Sequence, residues 1–575
     1  MRSSILTVVC GLAAVAACSP LRQPLGSLTP VSSTTGAAGG STGGSTAGSS
    51  GGGAGTGVLT GNQTPQLPPE WNGCDPTVFR CFQDPGLSPS SPASALFGGT
   101  PDPTAKPTIV YPLDGATHPI NLADITFQWR RAPGAAQTVF RIRLKRLNGD
   151  IFEFFVPCNP AVAAGPPIDT ECVYAMPPGA WLDAAATARG ETLSVELAGV
   201  DPTHPTTFGA SDPLSLAFSP EDVRGGLYYW SSDITGTKRL LFGARKALDY
   251  IPHAQNTCGG CHTVSRDGST IAFEQGDTGK GVLWIAPTAA VDTPLFDPGT
   301  MHDSGTQALS HDGTRVLVSY SGRLFLRDAK TNAKLFEVDE TQLGLTQHAF
   351  HPEWSPDDQK IAVTVSANGD SDWAVRTGAI GVLPYNDGKF GDVEILVPTG
   401  TAPGSDFNFY PTWSPDGHLI AFSTGKVGTA TQIPPETSYN QQTARLRLVN
   451  VDTKVVVELA AATSAMSRMT SWPKFAPFAQ PGGLMFLTFN AKLDYGFLLP
   501  DNAGNNPQLW IAAIDGNQPL QAGVDPSRAP VWLPFQGTKQ QNYATSWAET
   551  VGCGTAADCG ASQICNAGAC AMVAP

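Results

Sequence analysis

A four-residue turn signature recurs through the middle of the chain, and each copy is followed by a short apolar run. Ser265-Arg266-Asp267-Gly268 precedes Ile271-Ala272-Phe273, and Ser310-His311-Asp312-Gly313 precedes Val316-Leu317-Val318. Ser355-Pro356-Asp357-Asp358 precedes Ile361-Ala362-Val363, and Ser414-Pro415-Asp416-Gly417 precedes Ile420-Ala421-Phe422. The copies start 45, 45 and 59 residues apart. A weaker fifth runs through Phe475-Ala476-Pro477 to Leu484-Met485-Phe486, and second apolar runs such as Leu283-Trp284-Ile285, Leu324-Phe325-Leu326 and Leu509-Trp510-Ile511 follow the first. A period in the forties with several strands per repeat is what a β-propeller blade requires. The signature itself is turn chemistry: proline sets φ, aspartate bonds back to the backbone, and glycine accepts positive φ.

Two copies read Trp354-Ser355-Pro356-Asp357 and Trp413-Ser414-Pro415-Asp416. In this the chain resembles the TolB-like, WD40-like propeller family over about residues 226 to 540. Five internal copies leave a sixth blade to account for, giving six blades, and the turn motif is structural, not catalytic. The sixth blade is expected from Gly226 to Trp230 and Lys238 to Phe242, pairing with Pro530-Val531-Trp532-Leu533 to close the ring. Proteins of that family carry an α/β domain ahead of the propeller. This chain has instead, over residues 106–221, cleanly alternating runs in which Ile125, Phe127 and Trp129 share one face, and Phe140, Ile142 and Leu144 another. About seven short strands there suggest an immunoglobulin- or fibronectin-type sandwich. The expected fold class is thus all-β: a β-sandwich, then a propeller over 226–548, then a small cysteine-rich tail over 549–575.

Residues 1–18 read as a lipoprotein signal, with Arg2, an apolar stretch from Ile5 to Ala17 too short to span a bilayer, and Val15-Ala16-Ala17-Cys18 resembling a lipobox. That resemblance implies a lipidated Cys18 and a membrane anchor, with Ser19 in the next position favouring the outer membrane of a bacterial envelope. Residues 19–66 are rich in Gly, Ser, Thr and Ala and have nothing to bury, so they read as a flexible tether. The Gly39-x-Ser41-x-Gly43 pattern falls inside this tract, without the strand and helix a nucleophile elbow needs. Residues 67–105 read as a short irregular segment holding Cys74 and Cys81. An exported chain favours disulfides, so Cys74, Cys81, Cys158, Cys172, Cys553, Cys559, Cys565 and Cys570 are expected to pair. The formal net charge of −14 argues against a nucleic-acid partner.

Cys258, Cys261 and His262 spell C-x-x-C-H just ahead of the first turn copy. Two thiols three apart followed by an imidazole are what c-type haem attachment needs: two thioethers and an axial nitrogen on the metal, here His262. Aligning the repeats on their serines puts Cys261 where His351 and Tyr410 stand, and His262 where Pro352 and Pro411 stand, near the propeller axis. Met301, His302 or His351 would then offer a sixth iron ligand. Two readings stay open. One is a lipid-anchored envelope protein carrying haem c for electron transfer or redox sensing. The other is a binding scaffold for an envelope protein or polysaccharide, with Cys258 and Cys261 merely joined as a disulfide. A third, less favoured reading has His348 and His351, with His302, holding a divalent metal.

Overall fold

In the computed structural model, residues 69–575 are described except 88–91, 162–169, 252–257, 277–281, 300–303, 339, 344–346, 368–371, 373, 387, 429–436, 440, 464–467, 500–505, 560–562, 567 and 573–575. The signal and tether, including Cys18, lie outside the described residues, as do Met301 and His302. Among the described residues no helix is long and apolar enough to cross a membrane.

Six sheets form a propeller. Blades two to six have their innermost strands at Cys258–Val264, Thr306–Leu309, Gln347–Trp354, Asp406–Trp413 and Arg468–Phe475. Blade one is built from both ends of the repeat region: Gly226–Ser231, Gly236–Leu241 and Leu248–Ile251 on the outside, and Asn542–Ala548 innermost. Each inner strand contacts the next, and Asn542–Ala548 contacts both the first and the last of the others, so the ring closes.

The closing strand differs from the expected one. Val531–Trp532 instead pairs with Gln508–Asp515 as the outer strand of blade six, while Gly226 faces Ala548 and Leu227 faces Trp547. The run Pro530 to Leu533 carries the stronger apolar signal, but closure needs a strand long enough to line the axis, and two residues are too few.

The turn signature does the same job in each copy. Its serine Oγ donates to the aspartate at 2.5–2.9 Å and accepts the backbone N–H five residues on at 2.9–3.1 Å. Gly268, Gly313 and Gly417 have φ of +80°, +66° and +75°, and Asp358 takes the same left-handed conformation at +55°. The tryptophan ahead of the serine locks blades together: Trp354 Nε1 donates to the Ala308 carbonyl and Trp413 Nε1 to that of Glu353, both at 3.2 Å.

The N-terminal domain is a two-sheet sandwich of eight and four strands. Val139–Lys145 buries Phe140, Ile142 and Leu144 on one face and places its arginines on the other, where Arg141 lies over Phe97, as its alternation requires. The domain exceeds the expected seven strands: ten described strands fall within residues 106–221, and the segment read as irregular adds two more. Arg80–Gln83 pairs in parallel with Ile151–Pro157, and Thr100–Pro101 with Thr207–Ala210. Strands of four and two residues are too short to show a period, and their partners are distant in sequence. A helix, Pro178–Thr187, seats Trp181 in the sandwich core.

Sandwich and propeller share one hydrophobic core that runs from Trp129 and Phe140 to Trp510 and Trp532. Hydrogen bonds fix the join: Gln128 receives the Phe497 N–H at 2.7 Å and donates to the Tyr495 carbonyl at 3.1 Å, and Tyr111 receives the Trp532 N–H at 3.0 Å. Disulfides link Cys74 to Cys81, Cys158 to Cys172, Cys553 to Cys565 and Cys559 to Cys570.

Candidate functional site

Four residues before the turn serine, or the residue in its place, the inner strand carries a bulge in every blade but the third. Cys261, His351 and Tyr410 stand there with φ of +47°, +50° and +52°, and Trp472 and Ala544 take +48° at the matching positions of blades six and one. The ladder register slips at each, for example between Gly260 and Thr263 and between Phe409 and Thr412. A positive φ in a non-glycine residue is uncommon, and its repetition around a ring is imposed by the architecture. Thr306 completes the level in blade three. Six residues thus circle the axis, and in this order Cys261 of blade two stands opposite Tyr410 of blade five.

One level deeper are His262, Gln307, Pro352, Pro411, Pro473 and Thr545. Blades four to six therefore present proline and aromatic surface, and blades one to three present the polar groups. Below this, Lys474 of blade six and Glu353 of blade four form an ion pair across the channel, a bridge shared by an upper chamber and a second, lower one. The upper chamber is a cavity of about 160 Å³ that opens at its mouth.

Its upper wall is an arc of rings. Tyr410 lies 4.1 Å from His351 and stacks on Trp472 at 4.5 Å; Trp472 meets Tyr543 and Tyr439 at 5.8 Å, and Tyr543 meets Trp230 at 5.9 Å. Opposite the arc, Cys261 is a free thiol. Burial, with the Glu274 and Asp372 carboxylates nearby, pushes that thiol well above its ordinary pKa.

The predicted site residues separate into two groups. Cys261 and His262 line the chamber, and Cys258 lies on the same strand with its backbone paired to Gly276. His262 is 8 % exposed and neither of its ring nitrogens makes a hydrogen bond of normal geometry, although the Tyr228 main chain acts on it as a weak partner. Burial holds its pKa down at about 4, so the ring is neutral.

His351 also lines the chamber, yet both of its nitrogens are engaged, Nδ1 with Thr364 Oγ1 at 3.0 Å and Nε2 with the Asp372 carbonyl at 2.9 Å. It has no lone pair left for a metal, which corrects its expected role as a sixth iron ligand and, with it, the His348 and His351 metal pair. The disulfide alternative also needs correction, because Cys261 is unpaired. Cα atoms three apart on an extended strand are about 10 Å apart, beyond the roughly 7 Å that a disulfide spans.

Sequence reasoning does not find Thr306, Trp472 and Ala544. Counting four back from Ser310 finds the first; the other two are hidden because Ala476 and Ala548 stand in the serine's place. Trp230, Tyr439 and Tyr543 lie off this register, and only the closed ring brings them to the mouth.

No family model matches this sequence, and no curated protein matches it. Among solved structures, it is similar to a Bacteroides caccae protein of unknown function at 10% identity and TM-score 0.32, covering 56% of this chain and 98% of that one. It is similar to an oligogalacturonate lyase in complex with manganese at 15% identity and TM-score 0.27, covering 48% and 67%. For Kuenenia stuttgartiensis hydrazine synthase the values are 15% and 0.25, covering 44% of this chain and 62% of that one. The propeller assignment rests on the cyclic order of the six sheets.

Proposed function

We propose that this is a lipid-anchored envelope β-propeller whose upper channel chamber carries one haem c, attached through Cys258 and Cys261 with His262 as axial ligand, for electron transfer or redox sensing. The observation that carries the reading is the state of Cys261 and His262. Eight cysteines pair as four disulfides while Cys261 stays a thiol, and beside it the His262 imidazole is buried with no hydrogen bond of normal geometry at either nitrogen. An orphaned buried imidazole costs about 1–3 kcal/mol unless a ligand satisfies it. Thioether arms to separate porphyrin carbons also tolerate a wider cysteine spacing than a direct S–S bond. When bound, haem supplies a one-electron couple. This chain's residues supply its attachment, a neutral axial nitrogen, and a chamber walled by Tyr410 and Trp472. The anchor rests on Cys18 and the residues before it.

Expression of the full chain with a cytochrome c maturation system tests this. Covalent haem that survives denaturing electrophoresis, stains for peroxidase activity and disappears in Cys258→Ala and Cys261→Ala is the expected result. A colourless protein with an intact mass free of haem would sink it. For the anchor, Cys18→Ser should lose fatty-acid labelling and leave the membrane fraction; retention there refutes lipidation at this residue.

The scaffold reading has one observation in its favour, the chamber-lining rings of Trp472, Tyr543 and Trp230, whose faces suit a sugar ring as well as a porphyrin. Quenching of tryptophan fluorescence by envelope glycans in a colourless preparation would select it.

A further inference from the structure

Resting on the scaffold reading and independent of haem, we infer that the upper chamber recognises one uncharged pyranose residue at the end of a glycan chain, stacked on Trp472 and held through its hydroxyls by Gln307 and His262. Size comes first. A cavity of about 150 Å³ takes up a six-membered ring such as benzene, and the chamber, at about 160 Å³, is of that class. The Glu353 and Lys474 ion pair spans its floor while its mouth is open, so a glycan enters by one end and does not thread the channel.

The walls supply two different surfaces. On one side stand Pro352, Pro411 and Pro473 with Tyr410 and Trp472, and these suit the C–H face of a sugar ring. On the other, His262 of blade two and Gln307 of blade three lie at one level in neighbouring blades. Gln307 is 8 % exposed, and its Nε2 donates to Ser304 Oγ and, at 2.7 Å, to the Gly305 carbonyl. Both amide protons are thus spent, which fixes the orientation of the amide and leaves Oε1 without a partner. His262 makes no hydrogen bond of normal geometry at either nitrogen. A buried acceptor without a partner calls for a group that donates, and a neutral imidazole can both donate and accept. Vicinal hydroxyls meet both needs; a hydrocarbon ring meets neither.

Charge narrows the class of sugar. Burial keeps the Cys261 thiol and the His262 imidazole uncharged, and Lys474 and Glu353 offset each other. The described lining therefore has no spare charge to balance a carboxylate, sulfate or ammonium group taken out of water. A neutral residue pays no such penalty.

The test uses the full chain expressed without a cytochrome c maturation system. Methyl glycosides of glucose, galactose, mannose and N-acetylglucosamine are titrated by tryptophan fluorescence and calorimetry, beside methyl glucuronide and methyl glucosaminide as charged counterparts. At least one neutral glycoside should bind with a millimolar Kd, and the charged ones about tenfold more weakly. Gln307→Ala should weaken binding about five- to tenfold, as for one lost hydrogen bond. The deoxy glycoside that lacks the hydroxyl received by Gln307 should bind wild type and Gln307→Ala equally, a coupling that a merely structural role would not produce. Tighter binding of a charged glycoside, or wild-type affinity in Gln307→Ala, overturns the inference. If that variant does not fold, the comparison of neutral with charged glycosides on wild type decides alone. Envelope polysaccharide that binds wild type and is displaced by none of the glycosides overturns the inference and leaves the scaffold reading standing. Polysaccharide that does not bind ends both.

Discussion

Two clusters of buried rings in this protein use the same residue types to opposite ends. In the sandwich, Trp181 meets His118, Phe127 and Phe218 edge-on at 5.2–6.0 Å, and all four are at most 1 % exposed. In the channel, His351, Tyr410 and Trp472 lie closer, at 4.1–4.5 Å, and Tyr410 and Trp472 stack face on face beside an open chamber. Edge-to-face contact fills volume in all directions and is how a dry core is completed. A stacked pair beside open space, such as Tyr410 and Trp472, leaves a face free and costs the fold little if something flat covers it. Burial alone therefore does not separate core from site; the space beside the ring does.

The largest effect that would break this contrast is on stability. Trp181→Ala should cost about 3–5 kcal/mol, as for other large core truncations, while Trp472→Ala should cost about 1 kcal/mol. Urea midpoints at unchanged slope measure both; equal losses would mean that the arc is ordinary packing.

Next comes pH. Burial holds His118 of the sandwich at about 4, His262 at about 4 and His351 at about 3. Because these folded values lie below the unfolded one, the unfolded chain binds the extra protons. Stability is complete above the unfolded value of about 6.5 and is lost as pH falls towards 4 and then 3, on the order of 2 kcal/mol for each histidine. His118→Gln should flatten this slope with covalent haem retained. His262→Gln should flatten it too in protein without haem, and in protein that carries haem, should the proposal hold, it should change the spectrum. If both variants behave alike, His262 is a core histidine and no ligand.

The smallest expected effect concerns the channel floor. Glu353→Gln leaves Lys474 half-buried without its partner and should cost about 1 kcal/mol, part of which Lys474→Met in the same chain restores. A double-mutant cycle without coupling would show that the bridge does not hold the floor.

Much of the blade architecture is legible in the amino-acid order alone. Serine, aspartate and glycine at fixed offsets specify the turn through contacts within five residues, so each copy announces its blade. The same register places Cys261, His351 and Tyr410 at one level, because the bulge lies four residues from the serine. Closure is not legible in this way, because Asn542–Ala548 has neither the signature nor a strong apolar run, and its strand identity comes from Gly226–Ser231 more than 300 residues away. The strands at Arg80–Gln83 and Thr100–Pro101 are hidden for the same reason.

Sequence by itself determined the turns, the blade count, the pairing tendency of eight of the cysteines and the position of C-x-x-C-H on an inner strand. All of these follow from short-range backbone chemistry. Tertiary structure decided which groups at the site are spent and which are free. His351 is closed off by Thr364 and the Asp372 carbonyl, the floor joins residues 121 apart, and Tyr410 faces Cys261 only because the ring closes on six blades. Whether a polar atom has a partner depends on chain segments folded beside it from elsewhere, and no local pattern encodes that.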